Sequence, residues 1–329
     1  MASIICGVDV SARTLDARVG RDGAYQQFPR TSAGIAALAA WGRDHRVELV
    51  AMEATGGYER LPFGGLWAAG MPAAVVNPRQ VRRFAESMGR LEKTDRIDCG
   101  MIAWFSEVKR IKPTPPAAET QAHLAALVVR LRQLTETGVE QKNQRRLVAD
   151  ELVCDTFTAV LAAVAAQVKR LEAKIAGLID ADPLWAALNQ AFRGIKGVSD
   201  RTVARLVAAL PEIGVVSNKA VAKLAGLAPI ARDSGTHNGR RPVRGGRESV
   251  RSILFIVASV VRRHEADFKE FSDRLAQAGK PNKVVLVAVA HKLLTRLNAK
   301  ARDARAELAE AARTLETANQ KRNDAARAA

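Results

Sequence analysis

Residues 3–10 read Ser-Ile-Ile-Cys-Gly-Val-Asp-Val, a β-favouring apolar run with one carboxylate, Asp9, set inside it. An ionised group in such a strand has little structural reason to be there, because burying it unpaired is costly. The following residues make the run part of a sheet. Leu15 to Val19 and Ala24 to Phe28 flank the turn Gly20-Arg21-Asp22-Gly23, which predicts three strands with a hairpin. Thr31-Ser32 caps a helix through about Arg43, Val47 to Met52 is a further strand, and after a helical run Ala73 to Val76 is a short one closed by Asn77-Pro78. Helices over Arg79 to Glu86 and from Thr94 onward complete the order β-β-β-α-β-α-β-α. That is the order of an α/β RNase H-like (RuvC-like) fold.

Three more acids share this region. Glu53 ends the strand Val47 to Met52, where a parallel neighbour places its side chain and that of Asp9 in one crevice. Asp95 and Asp98 are i and i+3, one face of a helix. Four converging carboxylates without counter-charge repel one another, so such a site is tenable mainly with a divalent metal, and hard oxygen ligands favour Mg2+ or Mn2+. Two such ions serve phosphodiester chemistry by activating the attacking oxygen and stabilising the leaving one. Taken singly, an acid of this kind is ordinarily a helix cap or a solvated charge.

Lys112-Pro113-Thr114-Pro115-Pro116 breaks the helix and marks the first boundary, giving a domain over 1–112. Residues 113–190 predict a connector of two long helices, with Leu124, Leu127, Val128, Leu131 and Leu134 at helical spacing. These helices pack on each other or on a second protomer; no clean heptad decides. A mainly helical domain follows over 191–298, and 299–329 reads as a charged, Ala-rich, frayed tail.

The 329 residues carry a net charge of +17, which points to a polyanionic partner, nucleic acid first and an anionic membrane second. No uninterrupted run of ~18 apolar residues supports a membrane, and Met1-Ala2-Ser3-Ile4-Ile5 has no basic n-region, so the expectation is a cytoplasmic protein, nucleoid-associated when bound to DNA. Cys6, Cys99 and Cys154 are far apart and lack the C-x-x-C spacing of a zinc site and the even count of a disulfide framework.

Two segments of the C-terminal half suit phosphate. Gly194-Ile195-Lys196-Gly197 leading into Ser199 and Arg201 looks like a helix-hairpin-helix element, in which Gly194 and Gly197 allow a tight turn, its amides meet a phosphate, and Lys196 and Arg201 add charge. The bland alternative is a loop before a helix. The stretch from Asp233 to Arg251 concentrates glycine with Arg240, Arg241, Arg244, Arg247 and Arg251, and exposes Ser234 beside Gly235. A serine in such a loop is ordinarily a turn residue.

In this order the motifs Gly7-Val8-Asp9-Val10-Ser11, Glu53-Ala54-Thr55-Gly56, Asn77-Pro78 with Arg82 and Phe84, Lys93-Thr94-Asp95-Arg96-Ile97-Asp98, Gly194-Ile195-Lys196-Gly197, Leu224 to Pro229 and Ser234-Gly235 resemble the pilin-invertase-like DEDD transposases of insertion sequences, the IS-one-ten family. The resemblance spans most of the chain. It implies a RuvC-like N-terminal domain with a DEDD metal site at Asp9, Glu53, Asp95 and Asp98, a coiled-coil connector, and a C-terminal transposase domain whose nucleophilic serine is Ser234. It also implies a homo-oligomer, dimer or tetramer, on donor and target DNA, with a structured guide RNA from the element. The chain departs from relatives after the serine, carrying Arg244-Gly245-Gly246-Arg247-Glu248-Ser249 in place of a Lys-x-Gly-Asn-like stretch, so Ser249 and Ser252 compete with Ser234. Two other readings stay open at this point: a RuvC-like nuclease without serine chemistry, and a non-catalytic nucleic-acid-binding protein.

Overall fold

The computed structural model describes residues 4–328 apart from Leu91, Lys93, Arg232, Thr236 and Arg240; the side chains of Asp95, His237, Asn238 and most of those after Gln320 are also outside the description. The chain divides into two compact units, 1–118 and 119–329.

In the first unit, β1 (Ile5–Val10), β2 (Thr14–Val19), β3 (Tyr25–Pro29), β4 (Leu49–Glu53) and β5 (Ala73–Val76) form one sheet in the order β3-β2-β1-β4-β5. β1 pairs antiparallel with β2 and parallel with β4, and β4 pairs parallel with β5. This is the RNase H-like arrangement that the sequence order predicts. Because side chains alternate across a strand, the sheet has two distinct faces. Cys6, Val8, Val10, Val50 and Met52 pack under α1 (Ser32–Asp44) and α2 (Arg60–Ala68). Ile5, Leu49, Ala51, Ala74 and Val76 pack under α3 (Pro78–Ser87) and α4 (Asp95–Val108). Thr31, Asn77 and Thr94 each accept an early backbone N–H of the helix they precede, which fixes where α1, α3 and α4 begin. The Pro-rich segment makes one pairing of its own, with Thr114 N–H donating to the Ala73 carbonyl at 3.1 Å.

The second unit comprises α5 (Glu119–Arg145), α6 (Glu151–Ala181), α7 (Pro183–Arg193), α8 (Asp200–Ala209), α9 (Asn218–Leu224), the two-residue strands β6 (Asp233–Ser234) and β7 (His237–Asn238), α10 (Glu248–His264), α11 (Ala266–Gln277) and α12 (Asn282–Ala328). One core joins Leu124, Val128 and Leu131 of α5 and Ile175 and Ile179 of α6 to Phe192, Leu206, Leu254 and Leu294. The base of the predicted connector therefore shares its core with the helices that follow it. By length and composition α6 is apolar enough to cross a membrane, although Asp155, Gln167 and the pair Lys169-Arg170 keep it from being an uninterrupted apolar run. α5 packs along it, while Leu147 and Leu152 near the tip of the pair are 88% and 75% exposed.

The predicted tail also begins differently. α12 is one continuous helix across residue 299, and Ala301 and Ala304 lie in the core. Arg305 donates to the carbonyls of Ile213 and Pro211 at 3.1 and 3.2 Å. Small alanines allow this close approach, which a count of large apolar residues does not register. Asn298, fully buried, accepts from Gly214 N–H at 2.8 Å and donates to the Val216 carbonyl and Asn218 Oδ1, so no part of its amide is stranded.

Candidate active site

Val8 is the parallel register partner of Met52, so Asp9 and Glu53 are the next residues along adjacent strands and project to the same side. That side is the α4 face, since Gly7 and Ala51 precede them by two. Gly7 permits the approach of the helix: a Cβ there would stand 1.9 Å from the Cys99 carbonyl oxygen and 2.5 Å from the Ala103 nitrogen. α4 thus rests its backbone on the strand and brings its first turn, with Asp95 and Asp98, to the strand ends.

Glu53 and Asp98 line one cavity of about 150 Å3, together with Val81, Arg82, Ala85 and Met101. Asp9 lies close enough to Cys99, the neighbour of Asp98, to affect its thiol. Burial first, with the charges of Asp16 and Asp9 adding to it, pushes Cys99 up to about 11 against the opposing pull of Arg18. The backbone of Asp95 opens α4, and its side chain lies outside the described residues. Among the described residues no three potential ligands have converged to ion-binding distance. The donors gathered here are hard carboxylate oxygens, the chemistry that suits Mg2+ or Mn2+. Contrary to the expectation from sequence, the acids do have a counter-charge: Arg82, whose Nε also pairs with Glu86 at 3.2 Å, lines the same cavity.

Sequence reasoning missed Asp16. It is 2% exposed, is the antiparallel register partner of Asp9, and so faces the same side of the sheet. Its carboxylate accepts from Tyr25 Oη at 2.5 Å and Gln27 Nε2 at 2.9 Å. The first of these bonds, more than burial, pushes the Tyr25 phenol up to about 12. The signal was an acid between Leu15 and Ala17, the same pattern that singled out Asp9.

In the second unit Ser234 is exposed on β6, in register with His237 of β7, and Gly235 turns the hairpin at a φ of +55°. Ser249 and Ser252 lie on the exposed side of α10. The five arginines separate into different roles. Arg247 is turned inward, its guanidinium donating to both Glu212 carboxylate oxygens at 2.5 and 2.6 Å and to the Ala209 carbonyl. Phosphate contact by Arg247 requires breaking this bidentate pair, so its role is to anchor the loop against α8. Arg241 pairs with Asp233 at 2.9 Å, Arg251 donates to the Gly245 carbonyl at 2.6 Å and keeps its charge, Arg244 is exposed, and Arg240 lies outside the described residues.

The glycine turn stands between two helices as expected, with Gly197 at a φ of +99° and Ser199 capping α8. The Lys196 amide, however, donates to Glu265 Oε1 at 2.7 Å, and Arg201 pairs with Glu172. A carboxylate of the chain already holds the amide that the hairpin reading assigned to a phosphate. Glu265, distant in sequence, gave no local signal of this.

A transposase family of the DEDD IS110 type matches residues 6–153, and a second family, described as transposase IS116/IS110/IS902, matches residues 189–273. The chain belongs to the IS110 family of transposases. This transposase is 26% identical over 309 residues to the pilin gene-inverting protein of Moraxella bovis, across 90% of the chain and 94% of the relative, and 25% identical over the same length to that of Moraxella lacunata. It is 30% identical over 155 residues to the insertion element IS110 43.6 kDa protein of Streptomyces coelicolor, covering 46% of the transposase and 37% of that protein. Among solved structures it matches T. thermophilus RuvC in complex with a Holliday junction substrate at 16% identity and a TM-score of 0.27, over 34% of this chain and 99% of that one. The transposase is a DNA-cleaving and rejoining enzyme.

Proposed function

We propose that Asp9, Glu53, Asp95 and Asp98 bind Mg2+ or Mn2+ and that this site acts with Ser234 to break and rejoin DNA strands. The observation that carries the reading is the meeting of Asp9 and Glu53 at paired strand ends beneath the helix that bears Asp98. The metal supplies charge neutralisation at the reacting phosphate. The residues do the rest. Gly7 seats α4, the carboxylates hold their geometry, and Arg82 offsets part of their mutual repulsion before DNA arrives. Ser234 Oγ displaces one DNA oxygen from phosphorus, giving a phosphoserine ester and a free DNA hydroxyl; attack by a different hydroxyl releases the serine and completes the exchange, so one phosphoester forms for each that breaks. Arg244 and Arg251, in the segment that follows the exposed serine, suit phosphate contact, as does Arg241 once released from Asp233. A structured guide RNA and a homo-oligomer, dimer or tetramer, come with the family, and the net charge of +17 accommodates either nucleic acid.

The test is Ser234→Ala in the full chain. Recombination is expected to disappear while DNA binding persists, and a serine-linked DNA adduct should be trapped with the parent protein and not with the variant. Normal cutting by Ser234→Ala with no adduct from either protein identifies a metal nuclease without serine chemistry. Sequencing of co-purified RNA tests the guide.

A further inference from the structure

Helices α10, α11 and α12 enclose a groove of about 460 Å3 that none of the chemistry above uses. Arg262 and Arg263 reach it from the last turn of α10, Lys269 from the first turn of α11, and Lys280 from the loop before α12; Asp273 is the one acid in its lining. Arginines at the end of α10 are ordinary, since they complement the helix dipole. Lys269 is not, because it sits at the positive end of α11, where the dipole disfavours cations; Lys280 lies between the negative end of α11, whose Leu275 carbonyl accepts its amide, and the positive end of α12, so the two dipoles oppose each other there. Among the described residues none of the four cations pairs with a carboxylate. Arg262 Nη1 donates to Asn282 Oδ1 at 2.9 Å and Arg263 Nε to the Ser259 carbonyl at 3.0 Å, neutral acceptors that orient the guanidinium groups without discharging them. Ser272, 6% exposed, also lines the groove and adds a hydroxyl.

We propose that this groove grips the phosphodiester backbone of duplex DNA, a contact made of residues separate from the four acids and the Ser234 loop. Concave walls with a formal excess of three positive charges, no large aromatic surface and one hydroxyl fit a phosphate track and offer nothing that reads a base. The proposal rests on DNA being the substrate, and binding measured in chelator separates it from the catalytic reading, whose failure leaves this measurement untouched.

The experiment is a salt titration of the full chain binding a fluorescent nonspecific duplex, followed by anisotropy. In the double variant Arg263→Gln, Lys269→Gln the slope of log affinity against log salt should become shallower by about 2, so that the loss between 50 and 200 mM salt shrinks roughly tenfold. The control Lys169→Gln, Arg170→Gln removes the same charge from exposed positions of α6 and should leave the slope near that of the parent. The single variant Lys269→Gln, at an exposed position, should shift the slope by about 1 and covers the case in which the double variant does not fold. An unchanged slope in the groove variants overturns the proposal. So does an equal change in the control, or a loss confined to single-stranded RNA.

Discussion

Gly7→Ala tests the seating of α4 more sharply than any change to the acids themselves. The added methyl would lie 1.9 Å from the Cys99 carbonyl oxygen and 2.5 Å from the Ala103 nitrogen, both backbone atoms with no rotamer to yield. Restoring ordinary contact from 1.9 Å requires the helix to retreat by about 1.5 Å, and overpacking of this kind costs about 1–3 kcal/mol. In a unit of this size that is a fall in melting temperature on the order of 5 °C per kcal/mol. The same retreat draws Asp98 away from Glu53 across their shared cavity. A displacement of about 1 Å or more at a site that depends on orientation reduces the rate by on the order of a hundredfold. Thermal unfolding by circular dichroism and strand cleavage, measured at a temperature where the variant is folded, read the two effects separately. Gly64→Ala in α2 is the control: nothing lies within 4 Å of its added methyl, so it should be neutral or stabilising by up to ~1 kcal/mol. If Gly7→Ala melts and cleaves like the parent, α4 is not seated on β1 as described and the account of the site fails with it.

Asp16→Asn keeps an acceptor oxygen but removes the negative charge that helps hold the Tyr25 phenol at about 12, so its ultraviolet titration should fall back toward 10; a raised value contributes stability that is whole below pH 10 and lost as pH rises toward 12, and the variant should show less of that loss. Arg247 holds the Glu212 carboxyl below its ordinary 4.5, so the pair's contribution is whole above that pH and disappears as pH falls beneath it. With both partners about a third exposed the pair is worth on the order of 1 kcal/mol, and the melting temperatures of parent and Glu212→Gln should converge in acid. Phe192→Ala, emptying a fully buried site in the helical core, should cost about 3–5 kcal/mol in denaturant unfolding of the second unit.

The first unit was largely legible in the sequence because its signals are local. Apolar, β-favouring runs mark β1 and β4, the turn Gly20 to Gly23 marks β2 and β3, and Thr31, Asn77 and Thr94 announce the helices they cap. Asp9 and Glu53 were legible for the same reason, each being a charge where the pattern calls for an apolar residue. What escaped depends on pairing between distant residues. Asp16 matters only once β2 is laid antiparallel on β1, and Arg82 meets Glu53 and Asp98 only through the packing of α3. Glu265 reaches Lys196 across 69 residues, and Glu212 reaches Arg247 across 35. The arginine loop was read from composition as uniformly available to phosphate, whereas partner acids remove Arg247 and restrain Arg241. The start of the tail was misplaced because alanine packs in a core without looking like a core residue.

The two-faced sheet has a consequence for how this enzyme misfolds. A one-residue slip of β1 would carry Asp9 to the side covered by α1 and α2, among Leu38, Met52 and Leu66, and turn Val8 toward Asp98. Stranding a carboxylate in that apolar layer is penalised by several kcal/mol. Register and candidate site are therefore specified by the same residue, and the misaligned form is disfavoured by the group whose placement it would spoil. Neutral replacements such as Asp9→Asn weaken that safeguard as well as the chemistry. A mixture of strand registers, visible as doubled amide resonances along β1, is a cost of such variants that activity measurements alone would hide.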